Sequence, residues 1–108
     1  KINVNTASAS ELIVTKYARN SFLALKVSFF NQIYDLCKAA GIDYEAVREH
    51  ITADARIGES HTTITDERGF GGHCFPKDTS AFIVSGKKHG KHLSILEHAI
   101  DYNKTIRK

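Results

Sequence analysis

From Ser8 to Gly41 the chain reads SASELIVTKYARNSFLALKVSFFNQIYDLCKAAG, and this stretch decides the fold. Ser8 and Glu11 stand three apart, the spacing of a capping box that starts a helix. Neither Gly nor Pro interrupts the run until Gly41, which is placed to stop it. Phe22, Leu25, Phe29, Ile33, Leu36 and Ala40 recur at three- and four-residue spacing, and Leu23, Val27, Phe30, Tyr34 and Cys37 form a second stripe beside them. Two adjacent apolar stripes predict a helix buried over a wide arc. It would hold about 32 residues and extend roughly 48 Å. That is longer than a small globule needs, so the helix is expected to join domains or to pack on a partner subunit.

Working outward, residues 1–7 read as an extended polar lead-in. Asp43 is suited to cap a short helix through Ile51, with Val47 and Ile51 one turn apart. A further turn is expected over Ala53–Ile57, ending at Gly58. Residues 59–75 have no period and read as a loop. Pro76 fits the first position of a new helix running to about His89, with Gly90 as its cap and Gly86 weakening its last turn. A last helix is expected over Leu93–Ile106, with Leu93, Leu96 and Ile100 facing inward. No segment alternates as a strand would. The expectation is one all-α domain over residues 1–108.

Composition narrows the function. Of 108 residues, 42 % are hydrophobic and 25 % charged, ordinary for a soluble globular protein. A net charge of +3 is too weak to imply nucleic acid, and Lys87, Lys88, Lys91, Lys104, Arg107 and Lys108 read as a solvated helix face. No apolar run is long enough to span a membrane. The two cysteines, Cys37 and Cys74, with no secretion signal before them, read as free thiols in a reducing cytoplasm. His61, His73 and Cys74 do not make the spacing of a zinc site, so no metal is expected.

The chemistry gathers in Gly69-Phe70-Gly71-Gly72-His73-Cys74-Phe75-Pro76-Lys77-Asp78. The glycines allow close approach of a ligand. Cys74 falls at a helix start, where unpaired amides and Lys77 favour a thiolate, and Asp78 follows in the helix. That setting suits a nucleophile; a small Cys packed under a loop is the alternative reading. Lys16 and Asn20, four apart, share one face of the long helix. If that face is buried, Lys16 needs a partner or a ligand; otherwise it reaches to solvent.

The Cys74 segment resembles the active-site motif of the UDP-glucose/GDP-mannose dehydrogenase family. Glu11-Leu12 and Lys16-Tyr17-Ala18-Arg19-Asn20-Ser21-Phe22-Leu23-Ala24 resemble the family's central-helix motif, and Asp54-Ala55-Arg56-Ile57-Gly58 its short Asp-x-Arg-Ile-Gly segment. The three occur in the family's order. The resemblance implies the all-helical central domain, similar to the C-terminal domain of 6-phosphogluconate dehydrogenases, with a homodimer built around the long helix. It also implies oxidation of the C6 alcohol of a UDP-sugar to a carboxylate with two NAD⁺, through a thiohemiacetal and a thioester on Cys74. In that scheme Lys16 stabilises oxyanions at C6 or moves a proton, and Asn20 binds the sugar or holds the same oxygen. Asp78 positions the Cys or a water. Backbone at Phe70 and Gly71 contacts the nucleotide sugar, Arg56 reaches the partner subunit's site, and Lys77 lies near the cofactor.

Two departures stand out. Thr65-Asp66-Glu67-Arg68-Gly69 replaces the family's usual Pro-Gly approach, and the loop after Arg56 is slightly long. His73 stands where many UDP-glucose enzymes carry Ser, a feature of the N-acetyl-hexosamine branch, whereas Phe75-Pro76-Lys77-Asp78 is the hexose-type ending. UDP-glucose 6-dehydrogenase is the favoured reading, with UDP-N-acetyl-hexosamine or GDP-mannose enzymes as alternatives. A helical dimerisation or binding module without catalysis is the reading from another class. The 108 residues contain no Gly-x-Gly-x-x-Gly after a strand, and nothing matching the family's UDP-binding domain or its catalytic Glu. These residues alone are therefore expected not to turn over substrate.

Overall fold

The computed structural model describes residues 8–108; the expected lead-in, residues 1–7, lies outside the described residues. Four helices follow in order: α1 (Ala9–Ala40), α2 (Tyr44–Thr52), α3 (Cys74–Lys88) and α4 (Ser94–Ile106). Among the described residues there is no strand, so the chain is all-α.

Local sequence explains the helix ends. The Ser8 hydroxyl accepts the Glu11 N–H at 3.1 Å, and the Glu11 carboxylate accepts the Ser8 N–H at 2.7 Å. This reciprocal cap satisfies two donors that a helix start leaves open. At the other end Gly41 takes φ 71°, a left-handed value that costs Gly nothing. The turn lets the Ile42 N–H reach the Cys37 carbonyl at 2.9 Å and closes the helix after 32 residues. Asp43 caps α2 by accepting the Glu45 N–H at 3.2 Å. Residues 53–57 form turns, with Ile57 N–H bonded to the Asp54 carbonyl at 2.9 Å.

One boundary differs in a way that matters. The sequence places the third helix's start at Pro76, but α3 begins at Cys74. Pro76 is thus the third helical residue. The first N–H groups of a helix have no intrahelical partner, so a proline there removes nothing. Cys74 becomes the first residue of the helix, and Asp78 moves from its first turn to its second.

Every other helix packs on α1. The expectation of burial over a wide arc fails on one side. Phe22, Phe29 and Leu36 are 64 %, 57 % and 62 % exposed. What α1 buries is mostly small or polar: Ser21, Ala24, Ser28 and Asn31, with Phe30 and Cys37. Small residues let α3 and α4 approach closely. The reason for the failure is geometric: the molecule is 49 × 30 × 23 Å, and the three shorter helices cover only part of α1's surface. The apolar core lies at α1's C-terminal half, where Phe30, Cys37 and Tyr44 gather Ile33, Tyr34, Val47, Ile51 and Ile64. Tyr34 and Tyr44 meet edge-on at 5.4 Å.

The connection from α2 to α3 has no regular structure, yet several of its backbone groups are paired. Tyr44 donates its hydroxyl to the Thr62 carbonyl, and burial pushes that hydroxyl's pKa up to about 12. Thr62 is fully buried and bonds the Glu59 carbonyl at 2.7 Å. Lys26 on α1 holds the Ile57 carbonyl at 2.7 Å.

Candidate active site

Cys74 is exposed, whereas Cys37 is buried, and both thiols are free. Its place at the first position of α3 aims it into the unpaired amides and partial positive charge of a helix start. Asp78 lies one turn further on, on the same side of the helix, and is 3 % exposed. A carboxylate so buried needs a donor. Asn20 on α1 supplies it: Nδ2 donates to Asp78 Oδ2 at 2.6 Å. Lys16, one turn before Asn20, is exposed and makes no ion pair among the described residues. Of the two readings of Lys16, the structure has the one in which it reaches to solvent. The described residues leave α1's first turns largely open, where Ile13 and Val14 are also half exposed. Lys16, Asn20, Cys74 and Asp78 thus occupy neighbouring turns of two packed helices, with an open thiol above a bonded carboxylate.

The glycine loop is held from beneath. Phe70 is buried, and its backbone pairs twice with the Asn103 side chain: N–H to Oδ1 at 2.7 Å and C=O from Nδ2 at 2.9 Å. The Phe70 N–H is therefore committed inside the protein. Asn31 accepts the Gly69 N–H at 3.2 Å and Arg68 Nε at 2.7 Å. Arg68 continues to Asp35 at 2.8 Å and stacks over the Tyr34 ring at 4.8 Å. Tyr102 donates to the same Asp35, and burial together with that carboxylate pushes the Tyr102 hydroxyl's pKa up. The unusual approach through Arg68 is thus an internal anchor. Gly71 lies under the Arg107 guanidinium, so close that a Cβ would sit 2.2 Å from it.

Arg56 stands apart from this group. Its side chain is 89 % exposed and folds back on Asp54 through three bonds, at 2.6, 3.0 and 3.2 Å. That pair holds the Asp54 carboxyl below its usual range. Arg56 borders the exposed face of α1, in a cleft of about 370 Å³ with Phe22, Phe29 and Ile57. Lys77 is exposed in the first turn of α3. Among the described residues no group of three or more His, Cys, Asp or Glu could hold a metal ion. Among the described residues no helix is long and apolar enough to cross a membrane.

Residues 9–105 match the model of the UDP-glucose/GDP-mannose dehydrogenase family, central domain. The chain belongs to this family. It is 42 % identical over 94 residues to UDP-glucose 6-dehydrogenase AglM of Haloferax volcanii, covering 87 % of this chain and 21 % of that protein. To UDP-glucose 6-dehydrogenase TuaD of Bacillus subtilis it is 41 % identical over 106 residues, covering 98 % and 22 %. A solved structure of a UDP-glucose dehydrogenase from the hyperthermophilic archaeon Pyrobaculum islandicum superposes with a TM-score of 0.78 at 42 % identity, over 85 % of this chain and 21 % of that one. The chain spans about a fifth of the length of the relatives it matches.

The family match covers all three motifs, and the fold carries two of them to one place. Reading the residues missed Asn31 and Asn103. A signal was present: Asn103 continues the inward row of Leu96 and Ile100 on α4, and Asn31 stands inside the buried arc of α1. A polar residue on an inward row must find a partner, but the partners lay 38 and 33 residues away.

Proposed function

We propose that the protein carrying this chain is an NAD-dependent UDP-glucose 6-dehydrogenase, with Cys74 as its nucleophile. One observation carries the reading. Cys74 is exposed at the first position of a helix, over an Asp78–Asn20 pair, inside a segment that matches the family model. The relatives named above are UDP-glucose dehydrogenases, which favours UDP-glucose over UDP-N-acetyl-hexosamines and GDP-mannose.

The chain's own residues then divide the work. The Cys74 thiolate adds to the C6 aldehyde; a C–S bond forms and the carbonyl electron pair moves to oxygen, giving a thiohemiacetal. Lys16 and Asn20, one turn apart on α1, stabilise the charge that grows on that oxygen, and Lys16 can carry its proton. After loss of hydride from C6 the adduct is a thioester. Water attacks it, the C–S bond breaks, and Cys74 leaves as thiolate with the carboxylate released. Asp78, fixed by Asn20, positions Cys74 or that water. NAD⁺ supplies hydride acceptance when bound, and the exposed cation of Lys77, three residues past Cys74, fits a place beside it.

The exposed row Phe22, Phe29 and Leu36 fits a homodimer through α1. Arg56, on the border of that face, is then suited to reach the partner's site. Two free thiols suit a reducing cytoplasm. The 108 residues hold no dinucleotide-binding motif, so by themselves they leave an NADH assay with UDP-glucose flat. The deciding test is NADH production by the whole protein. Cys74→Ser should lower it by several orders of magnitude. Unchanged turnover would remove Cys74 from the mechanism, and no turnover with any UDP- or GDP-sugar would leave a helical module without catalysis.

A further inference from the structure

Three residues separate Phe70 from Cys74, and two of them are glycines. A segment this free cannot place a thiol by its own preferences. What places it must act at the two ends. At the far end is α3, tied to α1 by Asn20 and Asp78 at 2.6 Å. At the near end is the Asn103 amide, 9 % exposed on α4, which pairs with both polar groups of the Phe70 backbone. The two bonds fix the amide's orientation, because exchanging its O and N would set donor against donor. Gly69 closes on the same atom: a Cβ there would sit 2.1 Å from Asn103 Oδ1. The held Phe70 ring meets Phe75 at 6.5 Å, and Phe75 is the residue after Cys74.

We propose that Asn103 is a positioning residue for Cys74: through its paired bonds to the Phe70 backbone, α4 sets the point from which the glycine loop delivers the thiol to the start of α3. This rests on the reading of Cys74 as nucleophile. It gives α4 a role in the site although no α4 residue touches the reacting atoms.

Asn103→Asp tests it in the whole protein. The acid form keeps both bonds, since its O–H donates to the Phe70 carbonyl. The carboxylate keeps one and turns the other into repulsion. Burial beside a carbonyl favours the acid form, so at about pH 5.5 the clamp is restored and at about pH 8 it is broken. The probe is iodoacetamide, read as the Cys74 alkylation rate relative to the unsubstituted protein at the same pH. The ratio should be near one at the lower pH and fall about fivefold at the higher, the size of one lost hydrogen bond. Asn103→Gln, whose amide reaches one carbon further, should show a similar loss at both. Buried Cys37 monitors the fold and should stay unreactive. A ratio of one at both pH values in both variants would overturn the proposal. So would Cys37 reacting in step with Cys74 in both, since Asn103 would then support the whole fold. The probe needs no sugar or cofactor, so absence of turnover with UDP-glucose would defeat the functional reading without deciding this result.

Discussion

The two sides of α1 invert the usual order of an amphipathic helix. Toward α3 and α4 it buries Ser21, Ala24, Ser28 and Asn31; away from them it exposes Phe22, Phe29 and Leu36. A helix that stabilised only its own domain would do the opposite. Small and polar residues inside permit close helix approach and specific hydrogen bonds. Large apolar residues outside leave more than half of their surface uncovered. The difference separates two surfaces: one holds the Cys74 segment, and the other is left uncovered by the described residues.

Asn31→Leu should break the inward side most severely. It leaves the Arg68 guanidinium and the Gly69 N–H without their shared acceptor and should cost about 3 kcal/mol or more, read by urea unfolding. A loss under about 1 kcal/mol would mean that water replaces the Asn freely. Ala24→Leu tests close approach rather than bonding. Ala24 is fully buried, so three added carbons should cost about 1–3 kcal/mol by overpacking. A neutral result would show slack between α1 and its neighbours.

Tyr44 sharpens the contrast at the apolar end of the same helix. Tyr44→Phe should cost about 1 kcal/mol through the lost bond to Thr62. The native hydroxyl's pKa is raised from 10.0 to about 12 in the folded protein, so the neutral form is favoured on folding. Its contribution is complete below pH 10.0 and is lost as pH rises toward about 12; Tyr44→Phe should lose that part of the alkaline dependence. On the outward side, Phe22→Asp with Phe29→Asp should change unfolding stability of the single chain by no more than about 0.5 kcal/mol. Sedimentation should instead show loss of self-association. An unaltered oligomer would place the contact elsewhere.

Much of this was legible in local residues. The Ser8–Glu11 cap, the Gly41 stop and the Asp43 cap bracket their helices through contacts within three or four residues of themselves. Cys74 and Asp78 were legible as neighbours of a helix start because that signal is also local, although the helix begins two residues before Pro76. The burial of α1 was not. Apolar stripes state that a surface favours being covered, but not by what. Nor were the bonds of Asn31 and Asn103, whose loop partners lie 38 and 33 residues away.

The sequence by itself determined four helix segments, a thiol at the head of the third and membership of a family. These follow from hydrogen bonds and side-chain patterns that close within a turn or two. Only the tertiary structure decided that Asn20 bonds Asp78, that Asn31 and Asn103 hold the loop before Cys74, and that Phe22, Phe29 and Leu36 remain outside. Those outcomes depend on how much of a 32-residue helix three shorter ones can cover and on which distant polar groups meet when they do.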